Sequence, residues 1–386
     1  MFNYRKWTLL TLAFILILSL TGFSYAQDEA TATEGELEEV VVTAQKKEQS
    51  LKDVPVSVAT LSGENLDVIT STGQDIRLLS ARVTSLLIES SFGRTLPRFY
   101  IRGLGNTDFD LNASQPVSMV VDEVVLENPV VKGMPLFDLE RVEVLRGPQG
   151  TLFGRNTPAG IVKFETVRPT KEFDGFARAS YGTYSTTDIQ AAVGGSLGGD
   201  FTARFSGLYQ SRSNWVKNDH DPGDDLGGYQ TTAYRLQLGW DPSDNFSALL
   251  KVHGWEVSDG TARIFRANII EPGTSNLVDG FQQDHVSLDG LNNQEITSRG
   301  GLLRLEWDFG GATLTSITGY EGIRDMYSRG DIDGGTPDGP GPIFFQVESA
   351  GAMPCLLYTS PSPRDRSAYL VCRLLLEKRG GGGGGG

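Results

Sequence analysis

Phe201-Thr-Ala-Arg-Phe-Ser-Gly-Leu-Tyr209 is the stretch whose pattern decides the fold. Successive residues of an extended chain point to opposite faces. Phe201, Ala203, Phe205, Gly207 and Tyr209 therefore share one face, and Thr202, Arg204 and Ser206 the other. Segments 173–181, 188–197, 232–240, 246–257, 301–309 and 312–322 alternate in the same way. The turns Gly198-Gly-Asp200 and Asp241-Pro-Ser-Asp244 are short, whereas the polar loops 213–230 and 260–297 are long. Aromatic residues fall near strand ends, at Trp240, Phe246 and Trp307. A soluble β-sandwich also alternates. Short turns at one end, long loops at the other and aromatic strand ends favour a transmembrane β-barrel with an apolar outside and a polar lumen.

Upstream, residues 48–170 read as a compact mixed domain. Strands are expected at Val54–Thr60, Phe99–Arg102, Val117–Asp122, Val124–Leu126 and Arg141–Leu145, with an alternating one at Ile161–Thr166. Asp122 and Glu123 would turn the third of these into the fourth. Short helices are expected at Glu64–Ile69, capped by Ser62, and at Gln74–Leu79, with a helical turn at Leu136–Leu139. Gly103, Gly147, Gly150, Gly154 and Gly160 are read as structural turn residues, chiefly through the positive φ that glycine tolerates.

The two ends differ from the rest. Arg5 and Lys6 precede an apolar run from Trp7 to about Leu20, and Ser24-Tyr-Ala26 offers a cleavage site. Residues 1–26 therefore read as an export signal rather than a membrane anchor. Residues 27–47 form an acidic, aperiodic arm expected to be disordered. Within it, Glu39-Val-Val-Val-Thr-Ala-Gln-Lys-Lys47 is either a strand that adds to a partner's sheet edge or the first strand of the next domain. At the other end, Cys355-Leu-Leu-Tyr-Thr-Ser-Pro-Ser-Pro-Arg-Asp365, Leu370–Lys378 and the run Gly380–Gly386 resemble translated sequencing adapters and a guanine homopolymer. Residues 355–386 are thus expected to be non-native, and no disulfide is expected between Cys355 and Cys372.

Composition narrows the function. The 386 residues carry a formal net charge of −14 and a pI near 4.8, which argues against a nucleic-acid partner. The 47 glycines follow no collagen period. His220, His253 and His285 show no metal-ligand spacing, and Asp221-Pro-Gly-Asp-Asp225 reads as a solvated acidic loop before a weak calcium site. Gly103-Leu-Gly105 lacks the third glycine of a dinucleotide fingerprint. Gly147-Pro-Gln-Gly-Thr-Leu-Phe-Gly-Arg155 lacks the Gly-Lys-Ser/Thr ending of a phosphate loop. No catalytic residue, metal or cofactor is expected. The chain reads as one that binds and moves things.

Several motifs together resemble the TonB-dependent receptors of Gram-negative outer membranes. They are Glu39-Val-Val-Val-Thr-Ala44, Lys52-Asp-Val-Pro-Val-Ser-Val58, Phe99-Tyr-Ile-Arg-Gly103, Val120-Val-Asp122, and Glu140-Arg-Val-Glu-Val-Leu-Arg-Gly-Pro-Gln-Gly-Thr-Leu-Phe-Gly-Arg-Asn-Thr-Pro-Ala-Gly160. The resemblance implies a small α/β plug domain (48–170) inside an antiparallel transmembrane β-barrel, whose N-terminal part (171–354) stops after about seven of roughly 22 strands. It implies a TonB box in which Glu39, Val40, Val41, Val42, Thr43 and Ala44 bind TonB, itself energised from the inner membrane. It also implies that Arg102 and Arg146 pair with wall glutamates outside this sequence. Where the family has Asp-Gly-Val, this chain has Asp122-Glu-Val124, which bears on a tight turn at the plug's apex. The implied function is energy-coupled uptake of a scarce ligand across the outer membrane. A ferric siderophore comes first, with glycan, cobalamin or haem as alternatives. A passive porin or a secreted β-sandwich binding protein are the rival classes.

Overall fold

The computed structural model describes residues 41–42, 49–63, 66, 75–108, 113–154, 156–220, 223–261, 264, 266, 269–331, 334, 344–349 and 371–378. The export signal, the acidic arm apart from Val41 and Val42 (and so Glu39, Val40, Thr43 and Ala44 of the box), and the expected helix at Glu64–Ile69 apart from Leu66 lie outside them.

The first part of the chain builds β1 (Val41–Val42), β2 (Gln49–Ser50), β3 (Ser57–Ser62), β4 (Leu86–Glu89), β5 (Arg98–Ile101), β6 (Val117–Val121), β7 (Val124–Leu126), β8 (Leu139–Arg146) and β9 (Gly160–Thr166). Five of these form one sheet in the order β3-β8-β9-β6-β7, with β6 and β9 parallel. Strand β3 starts at Ser57 rather than Val54 because Pro55 brings no N–H to a ladder. The expected helix at Gln74–Leu79 is a 3-10 turn at Ile76–Ala81, capped by the Asp75 carboxylate on the Arg77 amide. The helical turn expected at Leu136–Leu139 does not form. A 3-10 turn lies earlier, at Val131–Gly133, and Asp138 takes a positive φ of 47° that ends any helix.

Strand β9 corrects another expectation. It alternates in sequence but not in exposure, because it runs between β8 and β6 and all seven of its residues are buried. Lys163 and Glu165 survive there by pairing at 2.6 Å. Gly160 opens this strand at φ 144°, where an added Cβ would lie 2.2 Å from the Leu145 carbonyl oxygen. Gly103, Gly147 and Gly154 also have positive φ. Gly150 does not; it begins the helical turn Gly150–Phe153.

Val41–Val42 is not a strand without a sheet of its own. It pairs antiparallel with Gln49–Ser50, and Val42 is fully buried beside Val120, Leu145, Phe153 and Ile161. The opposite face of the plug sheet carries Met119, Val142, Val144, Val162 and Phe164, packed with Ile76, Leu79, Phe99 and Ile101.

From Asp174 the chain becomes an antiparallel meander. Its members are β10 (Asp174–Gly182), β11 (Thr186–Gly198), β12 (Phe201–Arg212), the short β13 (Lys217–Asn218), β14 (Tyr229–Ser243), β15 (Phe246–Gly260), the short β16 (His285–Val286), β17 (Asn293–Asp308) and β18 (Ala312–Asp331). β19 (Phe344–Ser349) and β20 (Val371–Lys378) both lie on the outer edge of β18, against Met326–Asp331 and Ala312–Gly319. An open strand edge offers unpaired amides and carbonyls to any extended segment, and residues 371–378 of the tail occupy one there.

The alternation of β12 is realised: Phe201, Phe205 and Tyr209 are exposed, and Thr202, Arg204, Ser206, Leu208 and Gln210 are buried. The buried set faces the plug, and Leu208, Ala233, Trp255, Ile296 and Met326 of the wall share one apolar cluster with the plug. At the short-turn end, Phe201 stacks on Trp240, Trp240 meets Phe246 edge-on and Phe246 leans on Trp307, with centroids 5.9, 5.7 and 5.0 Å apart. This aromatic band crosses four strands.

Gly160→Ala is expected to lower plug stability by about 1–3 kcal/mol, read as a lower denaturant midpoint for the loss of plug protease resistance. A midpoint equal to the parent's would show that the close approach to Leu145 is not a constraint.

Candidate functional site

The site is the seam between plug and wall. Its centre is Asp138, placed by the chain entering β8 and 1% exposed in its side chain. Arg204 of β12 grips it with two bonds, Nε to Oδ2 at 2.9 Å and Nη2 to Oδ1 at 2.6 Å. This is the bidentate geometry a planar guanidinium allows. Ser206 donates its hydroxyl to the same carboxylate. From β14, Arg235 donates to the Asp138 and Phe137 carbonyls at 2.7 and 3.0 Å and lies 3.3 Å from Oδ2. Arg204 also bonds Asp174 at 2.7 Å, so two carboxylates balance two guanidinium groups. Burial alone would raise the Asp138 pKa, but its hydrogen bond from Arg204 and the charge of Arg235 hold it below the usual value.

A second contact lies at the β6–β7 hairpin. Asp122 and Glu123 both take positive φ, 46° and 73°, as a two-residue primed turn requires. The tight turn therefore survives without the family's glycine, and it lies against the wall. Lys251 of β15 bonds Asp122 Oδ2 at 2.5 Å, and Thr166 donates both its amide and its hydroxyl to the same carboxylate at 2.8 Å. Burial pushes the Asp122 pKa up, but Lys251 and the Thr166 amide outweigh it and bring it down to about 2. Arg304 of β17 stands 3.9 Å from Glu123. Beside this turn a cavity of about 40 Å³ is lined by Val124, Met134 and Phe137 of the plug and Lys251, His253 and Glu321 of the wall. It has room for roughly two or three waters. His253 bonds Glu321 at 2.8 Å, and Ser298 donates to the other Glu321 oxygen.

The third contact is at the plug loop 90–96. Arg94 donates to Gln210 at 2.9 Å and lies over the Tyr229 ring, 3.8 Å from its centre. Gln294 reaches back to the Phe92 carbonyl at 2.6 Å.

The sequence placed Arg204 on the polar face and Asp122 and Glu123 in the apical turn, but it did not show what they pair with, and it did not mark Asp138, Arg235, Lys251 or Arg94. Arg102 and Arg146, its candidates, make no ion pair among the described residues. Arg102 is exposed in a left-handed turn at φ 51°. Arg146 bonds Ser57 and the Thr84 carbonyl inside the plug. The charge pairs seen have the reverse polarity, with carboxylates on the plug and cations on the wall. Alternating polar positions in β12, β14 and β15 were the available signal: Arg204, Arg235 and Lys251 are cations on a face that is buried. Among the described residues no group of three or more His, Cys, Asp or Glu side chains is placed to hold a metal.

Residues 50–161 match the TonB-dependent Receptor Plug Domain family. The vitamin B12 transporter BtuB of Vibrio vulnificus is 22% identical over 65% of this chain and 39% of its own length. The pesticin receptor of Yersinia pestis is 27% identical over 56% of this chain and 31% of its own. The crystal structure of the ferric yersiniabactin uptake receptor FyuA from Yersinia pestis superposes with a TM-score of 0.61 at 19% identity, over 71% of this chain and 42% of that one. The ferripyoverdine receptor of Pseudomonas aeruginosa gives 0.59 at 15% identity, over 76% and 38%. The chain thus spans about two-fifths or less of these relatives, and the likeness to the solved structures is one of fold.

Asp138→Asn strips the charge that Arg204 and Arg235 share, and is expected to weaken plug docking by about 3–5 kcal/mol. Denaturant titration of plug release checks this, and a loss below about 1 kcal/mol would remove Asp138 from the centre of the seam. The folded Asp122 pKa is depressed from 3.8 to about 2. Its contribution is therefore present above pH 4 and lost as pH falls from about 4 to 2. Plug release measured across that window should show a step that Asp122→Asn makes smaller, the remainder belonging to Asp138, whose carboxyl is also held below its usual value.

Proposed function

We propose, for a chain whose residues 50–161 form a TonB-dependent receptor plug domain and whose later strands match part of the same receptors' barrel wall, that it is the ligand-binding, energy-coupled part of an outer-membrane uptake receptor. The observation that carries this reading is the filled inner face of the wall. Plug and wall share one apolar cluster and several buried ion pairs. A passive pore has no use for such a filling, whereas a gated one needs work to shift it. An outer membrane holds no ATP supply, so the work comes from a partner. TonB, energised at the inner membrane, is that partner, and Glu39–Ala44 is its attachment segment. There Val41 and Val42 are extended and β-branched and pair on one edge only, with Gln49–Ser50, so strand addition would use the other edge.

The outward residues Phe205, Tyr209, Leu236, Leu250 and Leu303 are exposed on the side away from the plug. They suit hydrocarbon lipid, and the aromatic band suits a headgroup boundary. Arg102 and Arg146 remain proposed partners for carboxylates on further wall strands, since both are unclaimed by the seven long strands here.

The cargo we assign is a ferric siderophore. Support comes from the two solved receptors, one a ferric yersiniabactin uptake receptor and the other bound to ferripyoverdine. A second reading, cobalamin, is favoured by the BtuB relative. Competition for uptake in iron-limited cells separates them: excess ferric siderophore suppresses labelled uptake under the first, cyanocobalamin under the second.

In cells making the receptor that carries this segment, Val41→Pro is expected to abolish energy-dependent uptake while leaving ligand binding to the cell surface unchanged, because proline removes an amide from the strand. Uptake at the parental rate would show that residues 39–44 are not the coupling segment.

A further inference from the structure

On the outward face of the wall, Arg299 is the first charge that β17 presents above the aromatic band. The outward residues of that strand run Trp307, Leu305, Leu303, Gly301 and Arg299. At about 3.3 Å per residue, Arg299 lies roughly 26 Å along the strand from Trp307, or about 20 Å in height at a tilt near 40°. Over the same height β14 turns Leu236 and Leu238 outward, and β15 turns Leu250 and Val252. A lipid-facing cation is costly in mid-bilayer and cheap only near the interface. Arg299 therefore marks the upper limit of the hydrocarbon.

The surroundings of Arg299 are polar and ordered by register. It lies between Gly254 of β15 and Gly322 of β18. A tyrosine covers each glycine: an added Cβ would lie 2.7 Å from the Tyr234 hydroxyl at Gly254 and 2.6 Å from the Tyr320 hydroxyl at Gly322. Neighbouring strands are about 4.8 Å apart, so a hydroxyl flanks Arg299 on either side at about one strand spacing. A second guanidinium joins from β18. The register pairs Thr297 with Asp325 and Ser298 with Ile323, which leaves Arg324 as the extra residue of a bulge. A bulge re-aims its side chains, and Arg324 and Asp325 are both about two-thirds exposed, 64% and 65%. Their mutual contact at 3.4 Å is open to solvent, and such a pair holds weakly. Glu256, also outward, lies opposite Thr297, further toward the long loops.

Among the described residues Arg299 has no ion pair, with Glu256 or any other carboxylate, and neither tyrosine hydroxyl has a hydrogen-bond partner. A guanidinium presents a planar fork that matches two phosphate oxygens, and the hydroxyls on either side can donate to the others. The cluster opens away from the plug, so cargo in the lumen does not meet it. Long loops lie on the outer side of such barrels, which sets the cluster level with the headgroups of the outer leaflet.

We propose that Arg299, Arg324, Tyr234 and Tyr320 form an outward docking site for the phosphate headgroup of an outer-leaflet lipid. This rests on the reading of the wall as membrane-spanning. The test titrates the full 386-residue chain in dodecyl maltoside with dioctanoyl phosphatidic acid and reads retained lipid by native mass spectrometry. Dioctanoyl phosphatidylcholine carries the same chains with its phosphate charge offset by choline, and excess inorganic phosphate is the competitor without a tail. Saturable retention of the phosphatidic acid is expected, with the phosphatidylcholine at least about tenfold weaker and no displacement by inorganic phosphate. Arg299→Gln should weaken retention at least about tenfold with unchanged far-ultraviolet circular dichroism. Tyr234→Phe combined with Tyr320→Phe, which keeps both rings over their glycines, should weaken it at least about threefold. Lys171→Gln, at the short-turn end, should leave it unchanged. Equal retention of the two lipids, displacement by inorganic phosphate, or parental retention by Arg299→Gln would overturn the proposal. Failure of the membrane reading shows separately, as a chain that stays in solution without detergent.

Discussion

A carboxylate taken out of water must find compensating charge and hydrogen bonds, or it will not stay ionised or not stay buried. Asp138 meets that constraint with two guanidinium groups and a hydroxyl drawn from two wall strands. The plug's placement follows from it. Once Asp138 is seated, β8 is fixed against β12 and β14, and the β6–β7 turn arrives where Lys251 and Arg304 can meet Asp122 and Glu123. The apolar cluster shared by plug and wall supplies attraction without direction. The ion pairs supply the register, since a shift of one residue would leave charges buried and unpaired.

The wall depends on a different constraint. Strands β12, β14 and β15 each have one face against the plug and one away from it, so a period of two is enforced along them. The edges are where the constraint is unmet by the meander itself. β18 is covered by two separate segments, β19 and β20, at its two ends. A barrel escapes this need by closing on itself.

What was legible in the sequence was what repeats locally. The alternation from Phe201 to Tyr209 gave the strand and its faces, and Trp240, Phe246 and Trp307 marked the aromatic end. The Asp122-Glu123 turn was also readable, because it separates two β-branched runs. What was not legible depends on distant residues. Arg204 and Asp138 are 66 positions apart, and Lys251 and Asp122 are 129 apart, so no local period links them. Lys163 and Glu165 looked like an exposed face of an alternating strand, and only the central place of β9 buries them. Leu136–Leu139 looked helical because its demand on Asp138 comes from the wall. Arg102 and Arg146 came from resemblance alone, and the resemblance carries no information about the carboxylates on the plug.

The central claim is that plug carboxylates and wall cations act as matched pairs and not as independent polar groups. A double-mutant cycle of Asp138→Asn and Arg204→Gln on plug release tests it most directly. A coupling energy of at least about 2 kcal/mol is expected, with the double variant less damaged than the sum of the singles. Additivity within about 0.5 kcal/mol would contradict it, and the seam would then be held by its apolar cluster alone.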